Sequence, residues 1–513
     1  MPNRVTDNVP MSVQDSLWLT MDRPNNLMVV DGVMVLTETV DLESVRAVYD
    51  EALGRFPVFR RKAVQAGLGW AWQDDPDFAI DRHLSEVSLP EPADTVALQQ
   101  FLAEQRTVPL PKDRPLWLAF LVSEVNLPDG TVGSAVVSRF HHAIADGVRL
   151  TQVMLGLCEV PDSAVPVAVA KPPAPSGAKA MVDGITATAR HAAEATVKVA
   201  GQGVGAATSG VRDVVTDPIS AVAELPGRVV DMPGAVVHGV ADSVELIRHP
   251  DHLLDALDAM GVTSGRGTRD LSSVTKIALS GNEKTVWTGK PGTEKAIAWS
   301  EPIPLSIVKD IGRAGGATVN DVLLAAVAGG LRRYLLDRDA FIDEVNWMVP
   351  VNLKPIEENL PPDLGNFFAL VFVPMPLDES DPRARLLQMH QRMERIKHSD
   401  EAVMTFGLQR VVSQSPGQVA FALTNFFANK AIGVLTNVPG PRAEMTFAGA
   451  PVRQVVGFAP CSGDQPMTAT IFSYNDEVTV GFASDAGLVP DPDVLADLVV
   501  AEVEVLAEAV GVD

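Results

Sequence analysis

Two hydrophobic periods, one typical of strands and one typical of helices, follow each other along the first part of the chain. Short apolar runs bounded by turn residues predict strands at 29–36, 114–125 and 133–140. Apolar residues three and four positions apart predict an amphipathic helix at 42–54, and a further helix is expected at 147–157. This mixture predicts an α/β domain over residues 1–165.

Residues 276–513 repeat the mixture and predict a second α/β domain. Thr318, followed three positions later by Asp321, resembles a capping box at the start of a buried helix that runs to Leu336. The other predicted elements are strands at 346–353, 367–374 and 431–436, a hairpin of strands at 467–474 and 478–484, and helices at 382–397 and 492–510.

The segment between the two domains, residues 166–275, differs in composition from both. Residues 166–178 are rich in Pro, Ala and Val and predict a linker, and Ala/Val/Gly-rich sequence with partly helical spacing follows to about residue 260. One interpretation is an insertion of amphipathic helices packed on the domains. The other is a surface that docks on lipid, which its acidic residues make less suited to anionic membranes.

Composition narrows the class of function. The chain has 513 residues, of which 46% are hydrophobic and 21% charged, so it is expected to be globular. Its net charge of −24 argues against a nucleic-acid-binding surface. Any bound phosphate would need a local basic patch, for which the candidates are Lys284, Lys290, Lys295, Arg332 and Arg333.

Two features predict the compartment. Cys158 and Cys461 are the sole cysteines, which suits a reducing compartment. The sequence contains neither a secretory signal pattern nor about 18 uninterrupted apolar residues. We therefore expect a cytoplasmic protein, which would reach a lipid substrate from a membrane or lipid-droplet surface.

The motif HHxxxDG, formed by His141, His142, Asp146 and Gly147, directly follows the strand at 133–140. A general base for acyl transfer needs an imidazole of near-neutral pKa held in one orientation, and the motif supplies an imidazole and a nearby carboxylate. The alternative is a pair of structural histidines at a strand end. A metal site is not expected, because adjacent strand residues point to opposite faces and no further ligand lies at suitable spacing.

The chain resembles the bacterial wax ester synthase/diacylglycerol acyltransferase family, within the superfamily that includes chloramphenicol acetyltransferase and the condensation domains of peptide synthetases. The matching motifs occur in the order of the family, between about residues 11 and 485. They are the opening signature at 11–19, Pro115-Leu116-Trp117, HHxxxDG, Asn320-Asp321, Leu364-Gly365-Asn366 and Asn437-Val438-Pro439-Gly440-Pro441.

The resemblance implies two chloramphenicol-acetyltransferase-like mixed-sheet domains with an active-site tunnel at their interface. It also implies transfer of a long-chain acyl group from acyl-CoA to diacylglycerol or a long-chain alcohol, giving triacylglycerol or wax ester. Acyl-CoA would be a co-substrate, and no cofactor or metal is expected. The alternatives are a condensation-type enzyme that takes acyl groups from a carrier protein, and a lipid-binding protein on a scaffold that has lost its activity.

Within this reaction His142 is expected to be the general base, and His141 to have a supporting role. Asp146 would orient the loop, through an ion pair with an arginine, and Gly147 would leave room for the substrate.

Three further residues, Asn320, Trp117 and Asn437, are candidate substrate-binding residues. Each has a structural alternative: the first turn of a helix for Asn320, a core aromatic residue for Trp117, and a rigid turn for the segment after Asn437.

Overall fold

The computed structural model describes residues 8–67, 69–160, 283–352, 360–398, 405 and 417–512. These residues fall into two compact units. The larger contains the described parts of 8–160, 283–398 and 431–512, and the smaller contains the described residues 405 and 417–430, with one helix at Gly417–Ala428. The segment at 166–275, and with it the choice between packed helices and a lipid-docking surface, lies outside the described residues.

Strands and helices follow one another along the chain in the larger unit. The strands are β1 (Val9–Pro10), β2 (Val29–Leu36), β3 (Arg61–Ala66), β4 (Gly69–Asp74), β5 (Leu84–Val87), β6 (Trp117–Asn126), β7 (Val132–His141), β8 (Lys295–Trp299), β9 (Ile303–Pro304), β10 (Glu344–Asn352), β11 (Phe368–Pro376), β12 (Gly433–Pro439), β13 (Thr446–Phe447), β14 (Ala450–Phe458), β15 (Met467–Tyr474) and β16 (Glu477–Asp485). The α-helices are α1 (Val13–Met21), α2 (Leu42–Leu53), α3 (Thr95–Gln105), α4 (Gly147–Leu155), α5 (Leu305–Gly315), α6 (Val319–Leu336), α7 (Pro382–Lys397) and α8 (Pro492–Val510).

Two large mixed sheets form the frame of this unit, as the α/β prediction requires. One has the strand order β13-β14-β2-β7-β6-β5, in which β5 and β6 are parallel and the other pairs antiparallel. The other has the order β11-β10-β12-β15-β16-β8, with β9 added beside β16, and its strand β12 is parallel to both neighbours. A small sheet, β1-β4-β3, accompanies them.

Strand β14 joins distant parts of the chain. It follows β12 in sequence, yet it pairs antiparallel with β2, from Val452 opposite Leu36 to Phe458 opposite Asp31. The C-terminal part of the chain therefore completes the sheet that carries the HHxxxDG motif. Hydrophobic patterning defines a strand and its buried face but not its partner strand, so the sequence did not predict that β14 pairs with β2.

Strand β7 explains why residues 133–140 are mostly apolar. Val136 and Phe140 belong to one hydrophobic core, whereas Ala135 and Val137 belong to another. Because successive side chains point to opposite faces, a strand between two cores is apolar on both. This burial fixes the end of β7, where the motif begins.

Among the described residues, no single helix is both long and apolar enough to cross a membrane. Helices α5 and α6 meet the criterion of length and composition only as a pair, and they are bent by 97° at the break between them.

Candidate active site

The HHxxxDG motif spans the turn from β7 to α4. Strand β7 ends at His141, and α4 begins at Gly147 with Asp146 as its N-cap. One oxygen of the Asp146 carboxylate, Oδ1, accepts the main-chain N–H of Arg149 at 3.0 Å. A capping aspartate satisfies a free helix N–H group and complements the positive end of the helix dipole. The spacing of the motif is therefore that of a strand, a tight turn and a capped helix.

The His142 side chain is buried and held on several sides. Its ring stacks on Trp18, with centroids 4.0 Å apart and planes 23° from parallel, and lies 5.7 Å from the Phe368 ring. Its main-chain N–H donates to Met28 O at 2.8 Å, and its carbonyl accepts from Asn366 Nδ2 at 3.0 Å. These contacts give the imidazole the fixed position that a general base requires.

Burial lowers the pKa of His142 below its ordinary value, and the nearby Asp146 carboxylate opposes that shift. The imidazole is therefore neutral near pH 7 and can accept a proton. Its Nδ1 atom is buried without a hydrogen-bond partner among the described residues.

His141 points to different neighbours. Its Nδ1 accepts the main-chain N–H of Ala143 at 3.1 Å, and its Nε2 lies 4.0 Å from Asp22 Oδ2. Burial lowers the pKa of His141 to about 4, against the effect of Asp22. The contacts fit the supporting role expected for this residue, and in the described part of the chain no three His, Cys, Asp or Glu residues are grouped as metal ligands.

Asp146 also holds a second loop in place. Its Oδ2 accepts the main-chain N–H of Phe367 at 3.0 Å, and its own N–H donates to Gly365 O at 3.3 Å. The sequence suggested that Asp146 orients the loop through an arginine. In the structure both of its carboxylate oxygens instead accept main-chain N–H groups, which tie the motif to Gly365–Phe367.

Gly147 borders open space. A Cβ atom built on this residue would meet no heavy atom within 4 Å, and its φ lies outside the left-handed region. The backbone does not need glycine here. The absent side chain instead leaves room at the start of α4, which fits the role expected for Gly147.

Four residues around His142 were absent from the expected site: Asp15, Trp18, Asn366 and Phe368. Asp15 Oδ1 accepts from Asn366 Nδ2 at 2.7 Å, so Asn366 bridges Asp15 and the carbonyl of His142. Asp15 and Trp18, one helical turn apart on α1, belong to the opening signature, and Asn366 ends the Leu-Gly-Asn motif. The motifs were therefore a signal, but the fold alone reveals that they meet.

Asn320 and Asn437, expected to bind substrate, contact each other. Asn437 Nδ2 donates to Asn320 Oδ1 at 2.8 Å, and both side chains are partly exposed. The capping box is confirmed: Thr318 and Asp321 exchange side-chain and main-chain hydrogen bonds at the start of α6. Strand β12 includes Asn437 and ends at Pro439, so the rigid turn begins later than the motif suggested.

Trp117, the third candidate for substrate binding, is a core residue. It is 1% exposed, its Nε1 donates to Phe59 O at 2.9 Å, and its ring stacks on His83 with centroids 4.5 Å apart. Because its polar atom is satisfied and its ring covered, the structure favours the core interpretation over a substrate contact.

Several of the basic candidates for a phosphate patch are already engaged by the protein itself. Lys290 binds Asp464 at 2.9 Å, Lys295 binds Asp485 at 3.1 Å, and Arg332 donates to a main-chain carbonyl. These three basic side chains therefore do not form one unpaired basic patch for a phosphate.

The fold is shared with solved acyltransferases and condensation domains. The wax ester synthase/diacylglycerol acyltransferase from Marinobacter aquaeolei matches with a TM-score of 0.62 and 17% identity, over 98% of this chain and 100% of that one. The first condensation domain of the calcium-dependent antibiotic synthetase matches with a TM-score of 0.53 and 15% identity, over 99% and 97%. These likenesses define the class of fold to which the chain belongs.

Family models identify the particular branch. The model of the wax ester synthase/diacylglycerol acyltransferase catalytic domain matches residues 11–323, and that of the C-terminal domain matches 364–507. The chain therefore belongs to the wax ester synthase/diacylglycerol acyltransferase family and is an acyltransferase.

Named relatives agree with this assignment. A putative diacylglycerol O-acyltransferase of Mycobacterium tuberculosis is 26% identical over 496 residues, 94% of this chain and 86% of that protein. A probable diacylglycerol O-acyltransferase of the same species is 24% identical over 433 residues, 83% of this chain and 78% of that protein.

Proposed function

We propose that the protein transfers a long-chain acyl group from acyl-CoA to the hydroxyl of diacylglycerol or of a long-chain alcohol, with His142 as the general base. The observation that carries this proposal is a buried, neutral imidazole just after β7, whose ring is stacked on Trp18. The names of the relatives support diacylglycerol as an acceptor.

The proposed reaction balances without an added cofactor. His142 takes the proton from the acceptor hydroxyl as its oxygen attacks the thioester carbonyl carbon. The resulting oxyanion collapses, the carbon–sulfur bond breaks, and the imidazole returns the proton to the departing thiolate. A positioned general base contributes about 10²- to 10⁴-fold to such a step. Acyl-CoA is consumed as co-substrate, and nothing is oxidised or reduced.

The other motif residues complete the proposal. The hydrogen bond from Asn437 fixes the Asn320 amide and leaves Asn320 Nδ2 as a donor for a substrate oxygen. Gly147 leaves room for the substrate, and Asp146 holds the turn. We propose a cytoplasmic protein that reaches its apolar substrates peripherally, at the surface of a membrane or lipid droplet.

The test is release of free thiol from palmitoyl-CoA, with diacylglycerol and hexadecanol offered separately. The proposal expects release that requires an alcohol, is lost in His142→Ala, and is kept in His398→Ala, whose histidine is exposed. The better alcohol identifies the product. Turnover that survives in His142→Ala would contradict the general base. Absence of release with either alcohol would contradict the proposed substrates and favour a carrier-protein donor or a binding role.

A further inference from the structure

The Asn366 side chain lies between a buried carboxylate and the proposed base. Its Nδ2 donates to Asp15 Oδ1 at 2.7 Å and to the His142 carbonyl at 3.0 Å, and the side chains of Asp15, Asn366 and His142 are all buried. Three buried polar residues thus take part in one group of hydrogen bonds. Such groups are costly to bury unless they are paired, so the arrangement calls for a role.

The orientation of the Asn366 amide is determined by its partners. A main-chain carbonyl can only accept, so the amide turns its NH₂ group towards the His142 carbonyl, and the same group donates to Asp15. In the opposite orientation Asn366 Oδ1 would face two other acceptors. Asp15 and the His142 carbonyl together therefore set the direction in which the amide oxygen of Asn366 points.

Two polar atoms at this contact are left over. Asn366 Oδ1 and His142 Nδ1 are both buried, and neither has a hydrogen-bond partner among the described residues. The amide oxygen is an acceptor, and Nδ1 can donate when it carries the proton. Burial lowers the pKa of His142, and three groups oppose it: first Asp146, then the main chain of His142 itself, and then the Asn366 side chain, which acts as an acceptor beside the ring would.

We infer that Asn366, oriented by Asp15, is a positioning residue that keeps the His142 proton on Nδ1 and leaves the Nε2 lone pair for the acceptor hydroxyl. The inference rests on the proposed function of His142. The contact between the opening signature and the Leu-Gly-Asn motif would then select the tautomer of the imidazole. Helix α1 supports it twice, since Trp18, one turn after Asp15, covers the imidazole face.

The first test compares Asn366→Ala with Gln454→Ala in the full chain. Gln454 is a matched control, because it is a buried amide that donates two hydrogen bonds, to Ser300 O and Thr479 Oγ1. We expect Asn366→Ala to lower kcat about 10- to 100-fold, part of the contribution of a positioned base, with little change in KM for palmitoyl-CoA. The acid limb of kcat/KM should move to lower pH, because an acceptor that favours the protonated imidazole is lost.

The second test changes Asp15. Asp15→Asn keeps a carbonyl oxygen that can accept from Asn366, whereas Asp15→Leu keeps the size and removes the acceptor. We expect Asp15→Asn to retain most of kcat and Asp15→Leu to resemble Asn366→Ala. Equal activity of the two variants would contradict the role of Asp15.

A spectroscopic test does not depend on any variant of Asn366. In ¹⁵N-histidine-labelled wild-type protein, with the His142 signals assigned by their loss in His142→Ala, we expect protonated Nδ1 and unprotonated Nε2. An Nε2-protonated tautomer would overturn the inference.

The kinetic results separate two failures. If Asn366→Ala keeps wild-type kcat and acid limb while His142→Ala is inactive, the inference is wrong and the proposed function stands. If Asn366→Ala lowers only the Tm, the residue is structural and the inference is wrong. Full activity of His142→Ala would remove the proposed function itself, and the inference with it.

Discussion

His142 and His390 each lie near an aspartate, but the two pairs are built differently. His390 Nδ1 is 2.8 Å from Asp321 Oδ2, and the His390 side chain is 29% exposed. His142 is buried, and its aspartate, Asp146, directs its oxygens to main-chain N–H groups. The pair with the direct histidine–carboxylate contact is thus the more exposed one, and its carboxylate caps helix α6.

A histidine–aspartate contact therefore does not by itself identify an active site. At His390 the carboxylate completes a capping box, which is a local task at a helix terminus. At His142 the carboxylate holds the turn and the loop at Gly365–Phe367, while an aromatic ring stacks on the imidazole and an amide binds the main-chain carbonyl. What distinguishes the candidate site is a buried, neutral imidazole whose position is fixed by its neighbours.

The largest expected effect separates the two histidines directly. His142→Gln should lower kcat for thiol release about 10²- to 10⁴-fold, because the general base is lost. His390→Gln should leave kcat near the wild-type value, since Gln can still donate to Asp321. Similar losses of kcat in both variants would contradict the distinction between the two histidines.

The next effect concerns pH and stability. His141 has a pKa of about 4 when folded and an ordinary value near 6.5 when unfolded, so the unfolded chain binds the proton first as pH falls. Stability is therefore full above pH 6.5 and declines towards pH 4, by up to about 1.4 kcal/mol per pH unit. Urea unfolding of His141→Gln should show a weaker decline, and His398→Gln should keep the wild-type decline. Parallel curves for wild type and His141→Gln would contradict this.

A smaller effect tests the open space at Gly147. Gly147→Ala adds a methyl group that meets no protein atom, so Tm should not fall. If substrate fills this space, kcat/KM should fall about tenfold through misplacement of the reacting groups. Gly69→Ala on β4 is the control, since its Cβ also meets nothing within 4 Å. Unchanged kcat/KM in Gly147→Ala would place the substrate elsewhere.

The smallest effect concerns the cap of α6. Thr318→Ala removes the side chain that accepts from Asp321 N and should cost about 1 kcal/mol of unfolding free energy. Urea unfolding measures it directly. An unchanged midpoint and slope would show that the carboxylate of Asp321, with His390, caps the helix without help.

Part of the local elements was predictable from the sequence. Strand 29–36 and helices 382–397 and 492–510 have the predicted bounds, and the hairpin of β15 and β16 turns at Asn475 and Asp476, which both have positive φ. The strand predicted at 431–436 runs instead from Gly433 to Pro439, because prolines at a strand end do not interrupt the pairing with β15. The sequence analysis did not predict helices α1, α3 and α5 or strands β3, β4, β5, β8 and β14, although Ser12 caps α1.

The sequence by itself determined the α/β class, the position of HHxxxDG at the end of a buried strand, and the cap that starts α6. These depend on periodicity and on contacts within a few residues, which a local pattern encodes. Only the tertiary structure decided that β14 completes the sheet of β7, that Trp117 lies in a core, and that Asp15 and Asn366 meet at His142. Asp15 and Asn366 are 351 positions apart, so no local pattern could reveal that two buried polar groups would satisfy each other there.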